Sequence, residues 1–316
     1  MKRSLRLILS CIMAVGMAGA LCACASQSYT PPAKTAVVDT PAIGEKKTLR
    51  VGVDAQNPPF AASVSGKIVG LDVDIAAALA DEMGLDLKVV DVGSDPEGSL
   101  SKGDVDIVMG LDKTSTTFAC WLSDPYVQTA VALFAPAATT AIPTPEASPL
   151  IAAQTSSMSA WEVNNQFGEA SLVSSADLKA AFASVETGAA AYVAADAVIG
   201  SYVAHSNAID MHIVALMKQV SGYSIGVTKT NTALSTAIGT ALATLSSNGT
   251  IAVIESKWLG SSLDLTAIAL TEGSKQSAPA TTPAAAAETQ TAPAAAAVPE
   301  ATPAAAGANA VTPTAA

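Results

Sequence analysis

Apolar and polar positions first fall into register at "LRVGVD" (Leu49 to Asp54), where they alternate with the period of a strand. The next regular stretch, "GLDVDIAAALADEMG", changes period. Ile75, Leu79 and Met83 recur at four-residue spacing and predict a helix. Asp72 is its expected N-cap, and Gly84 stands where the chain needs a residue without a Cβ to leave the helix. "LDLKVVDV" predicts a second strand, Asp95-Pro96 opens a short helix, and "DVDIVMG" predicts a third strand. Strand, helix and strand in this rhythm imply a parallel sheet with right-handed crossovers. A second set starts at "LIAAQTSS" and runs through "SLVSSADLKAAFASVETGAAAYVAADAVIG" to "AIDMHIVAL", predicting four short strands with helices between them. A helix over Thr232–Leu245 follows, the Asn248-Gly249 turn breaks it, and a further helix covers Thr250–Trp258. The pattern is α/β throughout, in two sets.

The two ends of the chain stand outside this pattern. "MKRSLR" is positive, and the apolar "LILSCIMAVGMAGA" behind it is shorter than the ~20 residues a bilayer span needs. Residues 1–23 are therefore expected to be an export signal. Its end, "LCAC", resembles the lipobox of bacterial lipoproteins, with Leu21 and Ala23 ahead of Cys24. Cleavage before Cys24 and lipidation of its thiol would hold the protein on the extracytoplasmic face of the cell membrane. Residues 24–47, with "TPPAKTAVVDTPAIGEKK", read as a tether from lipid to domain. Residues 263–316 read as a tail. From Ser277 onward it is dominated by Ala, Pro and Thr, with Glu288 and Glu300 its only charges, a composition that builds no core.

Cysteine and charge narrow the chemistry. Of the four cysteines, Cys11 and Cys22 leave with the signal and Cys24 takes lipid. Cys120 then has no partner for an intrachain disulfide, and between Phe118 and Trp121 it reads as a small buried hydrophobe. The net charge is −11, and loss of Lys2, Arg3 and Arg6 makes it −11 − 3 = −14 in the processed chain. Nucleic acid and anionic surfaces are poor partners for such a protein. No metal-ligand spacing, phosphate loop or catalytic triad is present, so neither a cofactor nor an enzyme activity is expected. "GYSIG" (Gly222 to Gly226) imitates a hydrolase nucleophile elbow, but His205 and His212 both precede Ser224, and that fold needs its histidine afterwards.

"LRVGVDAQNPPF", "GKIVGLDVDIAAALADEMGLDLKVVDV", "GDVDIVMG", "SDPYV" and "NTALSTAIGTALATLSSNGTIAVIESKWLG" together resemble the family 3 solute-binding proteins of bacterial ABC importers, over about residues 48–262. The resemblance implies a periplasmic-binding-protein fold: two α/β lobes joined by two crossover strands, with a ligand cleft between them. Lobe 1 would comprise residues 48–130 and 220–262, and lobe 2 residues 131–219. It further implies a monomer that binds a small polar solute and hands it to ABC permease subunits. Two other uses of the fold are a surface lipoprotein that senses or touches the envelope, and a dehydratase working with cleft carboxylates.

Carried over residue by residue, the resemblance marks a site. The family's "D-x-x-[YN]-x-P-F" falls on Asp54, Asn57, Pro59 and Phe60, with the first two toward the ligand side chain and Phe60 as a wall. "GAAAYVAAD" places Asp196 where an acid takes the ligand ammonium, a role compatible with capping the helix that follows. "QTSSMS" matches the "Q-x-G-T-T/S" loop that holds carboxylate, with Ser156 in place of the glycine and Ser157 still able to donate. Gly110, Asp112, Lys113 and Thr114 leave the third strand toward the cleft. The family's carboxylate-gripping arginine, counted back from "SDPY", falls on Thr116 or Thr117. Arg50 is the only arginine after the signal and lies on the first strand, away from the cleft end. Asp54, Asp112 and Asp196 would then make the cleft acidic, and Lys113 would be the one cation placed to replace the arginine. Such a site favours a ligand with ammonium character.

The anchoring expectation is directly testable. Cys24→Ser should move the protein from the membrane fraction to the soluble extracytoplasmic fraction, and a variant that stays with the membrane would sink the lipoprotein reading.

Overall fold

The computed structural model describes residues 34–276. The export signal, Cys24 and the tail from residue 277 lie outside the described residues. The first sheet is built on three parallel strands, β1 (Thr48–Val53), β5 (Asp86–Asp91) and β6 (Ile107–Asp112). Between β1 and β5 the chain folds a small antiparallel sheet of β2 (Gln56–Asn57), β3 (Ala61–Val64) and β4 (Lys67–Val69). Helix α1 (Leu71–Glu82) then returns over the first sheet, and α2 (Pro96–Lys102) connects β5 to β6. Short strands β7 (Trp121–Leu122) and β8 (Val127–Thr129) bring the chain to the sheet's edge.

At Ala130 the chain crosses into a second sheet. Its strands are β9 (Val131–Pro136), β10 (Ile151–Gln154), β11 (Leu172–Ser175), β12 (Tyr192–Asp196) and β13 (Met211–Leu216), in the order β11-β10-β12-β9-β13. Helices α3 (Met158–Phe167), α4 (Leu178–Glu186) and α5 (Ala197–Ser206) cover it. The four strands expected from sequence are the parallel trio β10, β11 and β12 plus β13. The crossover strand β9 inserts between β12 and β13, antiparallel to both. The chain then returns through β14 (Ser221–Val227), which joins the first sheet antiparallel to β6. Helices α6 (Thr232–Ser247) and α7 (Thr250–Leu259) complete lobe 1 against α1. The first sheet thus has its own core around Leu49, Val51, Ile75, Leu79, Ile225 and Ile238, and the second has cores around Phe134, Phe182 and Leu133.

Three expectations from the sequence need correction. The cap of α1 is Gly70, not Asp72. Asp72 sits in the first turn and turns inward, 2% exposed, where Tyr126 donates its hydroxyl to Oδ1 at 2.7 Å. A polar residue at a helix start signals a cap only if its side chain folds back onto the helix, and here the tyrosine of "SDPY" claims it first. The described part of the tether, residues 34–47, is packed rather than free. Ile43 is fully buried, the Val37 N–H donates to the Met83 carbonyl, and Lys34 pairs with Asp81 and Glu82. This segment passes so close to Gly84 (φ +68°) that a Cβ there would stand 2.6 Å from the Thr35 carbonyl oxygen. The third correction concerns the tail. Residues 263–276, assigned to it, continue from lobe 1 onto lobe 2, with Leu265 and Thr271 buried and a last short helix, α8 (Glu272–Gln276).

Arg50 is fully occupied at the far end of β1. Its guanidinium pairs with Asp106 (Nη2 to Oδ1, 2.7 Å) and donates from Nη1 to the carbonyls of Gly103 and Asp104. Asp106 also accepts the N–H groups of Gly44 and Arg50. This ion pair closes the lobe's outer end.

Burial raises the Asp72 carboxyl to about 7, with the Tyr126 hydrogen bond pulling weakly the other way. Burial also lifts Glu255 on α7 to about 7. Both groups hold a proton in the folded protein that they release on unfolding above their ordinary range. Stability from these groups is therefore full near pH 4 and declines as pH rises toward 7. Asp72→Asn keeps an acceptor for Tyr126 but cannot ionise. Denaturant unfolding across pH 4–7 should show a shallower fall of stability in this variant, and an unchanged slope would mean that Asp72 stays charged in the fold.

Candidate ligand-binding cleft

The polar side chains that the sequence singles out lie at the ends of strands that meet between the lobes. Such ends, with the loops and helix N-termini following them, are where open α/β sheets present donors and acceptors to small solutes. On lobe 1, β6 ends at Asp112. Its Oδ1 accepts from the Thr114 N–H and hydroxyl, both at 2.8 Å, and from the Ser221 hydroxyl at 3.0 Å. One carboxylate oxygen thereby ties the loop after β6 to the strand returning from lobe 2. Gly110, two residues earlier, takes a left-handed backbone (φ +78°), and its N–H donates to the Tyr126 hydroxyl at 2.9 Å. The chain Asp72–Tyr126–Gly110 thus sets the exit of β6, a contact between "GLDVD" and "SDPY" that no local spacing announces.

On lobe 2, Asp196 ends β12 and caps α5. Its Oδ1 accepts from the Val198 and Ile199 N–H groups at 2.9 and 3.0 Å. Its Oδ2 accepts from the Thr129 hydroxyl at 2.6 Å and from the Tyr223 hydroxyl at 3.4 Å. Burial pushes the Asp196 carboxyl up, while these donors pull it back. Tyr223 connects the two sides. It pairs with Asp112 across β14 and β6, and its ring packs on Phe60 with centroids 4.4 Å apart. Burial raises the Tyr223 phenol well above its ordinary range, and the charges of Asp196, Asp112 and Asp72 push it further the same way. The phenol therefore stays neutral beside the Asp196 carboxylate to which it donates.

The remaining positions divide. Phe60 is buried against Tyr223, as a wall. Asp54 accepts locally from the Gln56 N–H, and exposed Asn57 hydrogen-bonds through its backbone to Asp54 and Phe60. Ser156 adopts φ +60°, the left-handed backbone a glycine takes readily, and half-buried Ser157 caps α3 by accepting from the Ala160 N–H. The next positions of this helix present large apolar groups: Met158 is 61% and Trp161 57% exposed. Neither was foreseen, although "MSAW" carries them openly.

Lys113 does not stand free to replace an arginine. Its ammonium donates to the backbone carbonyls of Ser123 at 2.6 Å and Leu122 at 3.2 Å, so two of its three donors are committed. Thr116 is exposed, and Thr117 is engaged with Ser115 within its own loop. Neither reaches the Asp112 or Asp196 clusters. Among the described residues no group of three or more His, Cys, Asp or Glu side chains could hold a metal ion.

Comparison with known proteins fits this geometry. The profile of the bacterial extracellular solute-binding proteins, family 3, matches residues 49–261. Among solved structures, an ancestral cationic amino acid solute-binding protein is 25% identical with a TM-score of 0.58. That alignment covers 67% of this chain and 96% of the ancestral one. A substrate-binding protein of a polar amino acid ABC uptake transporter from Streptococcus thermophilus gives 0.62 at 19% identity, covering 73% and 90%. The L-cystine solute receptor of Neisseria gonorrhoeae, in an unliganded open conformation, gives 0.60 at 21%, covering 69% and 95%. These last two likenesses speak to the fold. No curated protein matches the sequence. With two crossover strands, strand-end acids between two α/β lobes and a profile match over most of the described residues, the chain belongs to the bacterial extracellular solute-binding proteins, family 3.

Proposed function

We propose that this chain is a lipid-anchored receptor that captures a small amine-bearing solute between its lobes, as a monomer, and delivers it to the permease subunits of an ABC importer. The observation that carries the ligand class is the pair of strand-end acids at Tyr223: Asp196 accepts its hydroxyl and Asp112 stands opposite it across β14 and β6, while the only arginine of the described residues is locked to Asp106. Among the described residues no lysine or arginine pairs with Asp112 or Asp196 as a counterweight, and Lys113 spends two of its donors on carbonyls. A ligand ammonium would supply it. The similarity to a protein named for cationic amino acids supports the same direction.

The chemistry also says how a ligand would be held. Asp196 already accepts four donors, and an entering ammonium would exchange for the weakest, the 3.4 Å contact from Tyr223. Asp112 keeps Oδ2 free of hydrogen bonds while Oδ1 fixes the loop. Phe60 and Tyr223 provide the apolar side. A ligand carboxylate would meet hydroxyls and the α3 N-terminus rather than a guanidinium, an arrangement that gives up the two-pronged charged contact.

Calorimetry with L-arginine, L-lysine and L-glutamate tests the reading. The cationic pair should bind and the anion should not. Asp112→Asn and Asp196→Asn should each weaken L-arginine by about 1.5–3 kcal/mol, or roughly ten- to hundred-fold, with the fold retained because asparagine also caps helices. Thr117→Arg should strengthen binding of a neutral amino acid such as L-glutamine by restoring the planar donor. Tight L-glutamate binding that survives both Asp→Asn changes would overturn the acidic-cleft assignment.

A further inference from the structure

The two crossover strands are not the only chain that passes between the lobes. At the end of α7, Leu259 is still part of the lobe 1 core, and Glu255 accepts the Leu263 N–H at 3.2 Å. Leu263 packs against the cores of both lobes. Two residues later Leu265, 2% exposed, belongs to the lobe 2 core, joined by Ile268 and Leu270. Its N–H donates to the Gln128 side chain, on the outgoing crossover, at 2.9 Å. The segment then runs beside the end of β13. Leu270 makes a parallel bridge with Leu216, the Leu216 N–H donates to the Ala269 carbonyl, and the Thr271 N–H donates to the Leu216 carbonyl.

A buried latch closes the arrangement. Thr271, 1% exposed, donates its hydroxyl to Gln166 at 2.6 Å, and Gln166 donates in turn to Glu162 and to the Met217 carbonyl. Met217 opens the returning crossover. The strap is therefore fastened to α3, to β13 and to both crossovers. Only residues 260–264 span its lobe 1 and lobe 2 anchors. Five residues reach at most about 17 Å when fully extended. Gly260 (φ +85°) starts this span against α5 of lobe 2, where a Cβ would stand 2.8 Å from His205 Nδ1. Most of the strap, from residue 262 on, also lies beyond the match to the family profile, which ends at residue 261.

We infer that residues 260–271 form a third interlobe connection that limits how far the cleft opens. Two adjacent strands let one lobe bend and twist about the other. A third short connection, fastened beside them, removes part of that freedom, because rotation that parts the lobes must stretch the strap or unseat Leu265 and Leu270. The receptor then loses less conformational entropy on closing over a solute. The inference uses the two-lobed geometry and is independent of which solute is bound.

The test reads opening without ligand. Donor and acceptor dyes attached through an unnatural amino acid at Lys102 on lobe 1 and Lys179 on lobe 2 report the interlobe distance by single-molecule energy transfer. A chain ending at Gln276 retains the strap, and one ending at Ser262 lacks it. The first should match the full chain, and the second should gain a longer-distance population. Should the shorter chain fail to fold, the full chain carrying Leu270→Asp with Thr271→Val decides by the same readout, with hydrogen exchange at residues 263–271 reporting release of the strap. Identical distance distributions with and without a docked strap would overturn the inference. A full chain that fails to bind L-arginine, while strap release still adds the longer-distance population, would instead count against the solute assignment alone.

Discussion

The carboxylate of Asp196 is the knot on which this structure turns. It ends a strand of lobe 2, caps the helix that follows, and accepts hydroxyls from Thr129 on the outgoing crossover and Tyr223 on the returning one. A half-buried carboxylate is costly unless its lone pairs are filled, and here four donors fill them. Helix, crossovers and cleft wall are thus held in one register by a single acid. Any ligand ammonium that reaches the carboxylate competes with contacts that position the lobes, which couples recognition to hinge geometry.

Around that knot the site departs from a carboxylate-gripping arrangement in several coordinated ways. The loop that would carry arginine carries threonines, the neighbouring lysine is turned onto carbonyls, and Arg50 closes the opposite end of the lobe. The loop before α3 keeps its left-handed turn with Ser156 but follows it with exposed Met158 and Trp161. Negative charge with an apolar border is the resulting surface.

Both ends of the described chain are recruited into the domain. Residues 34–47 lay Ile43 into lobe 1 and supply N–H groups to Asp106 and to the end of α1. Residues 263–275 do the same for lobe 2 through Leu265, Leu270 and Thr271. Each segment is short and aperiodic, so a reading based on hydrophobic period passes over it. A few well-placed apolar residues suffice when a preformed groove receives them.

What the sequence determined by itself follows from local rules. Period-2 and period-4 patterns place the strands and helices, Gly84 and the Asn248-Gly249 turn mark helix ends, and the quoted motifs carry the two-lobed family fold. The strand-end places of Asp112 and Asp196 were also legible, because each closes an apolar strand pattern. The tertiary structure alone decided which polar groups meet. Asp72 looked like a cap and is the buried partner of Tyr126, 54 residues away. Lys113 looked like a spare cation and is satisfied by carbonyls nine and ten residues on. The segment from residue 263 looked like the start of a tail and lays Leu265 into the core of lobe 2. In each case the deciding term is desolvation: a buried donor, acceptor or leucine takes the partner that folding brings within reach, and that distance is not written in local spacing.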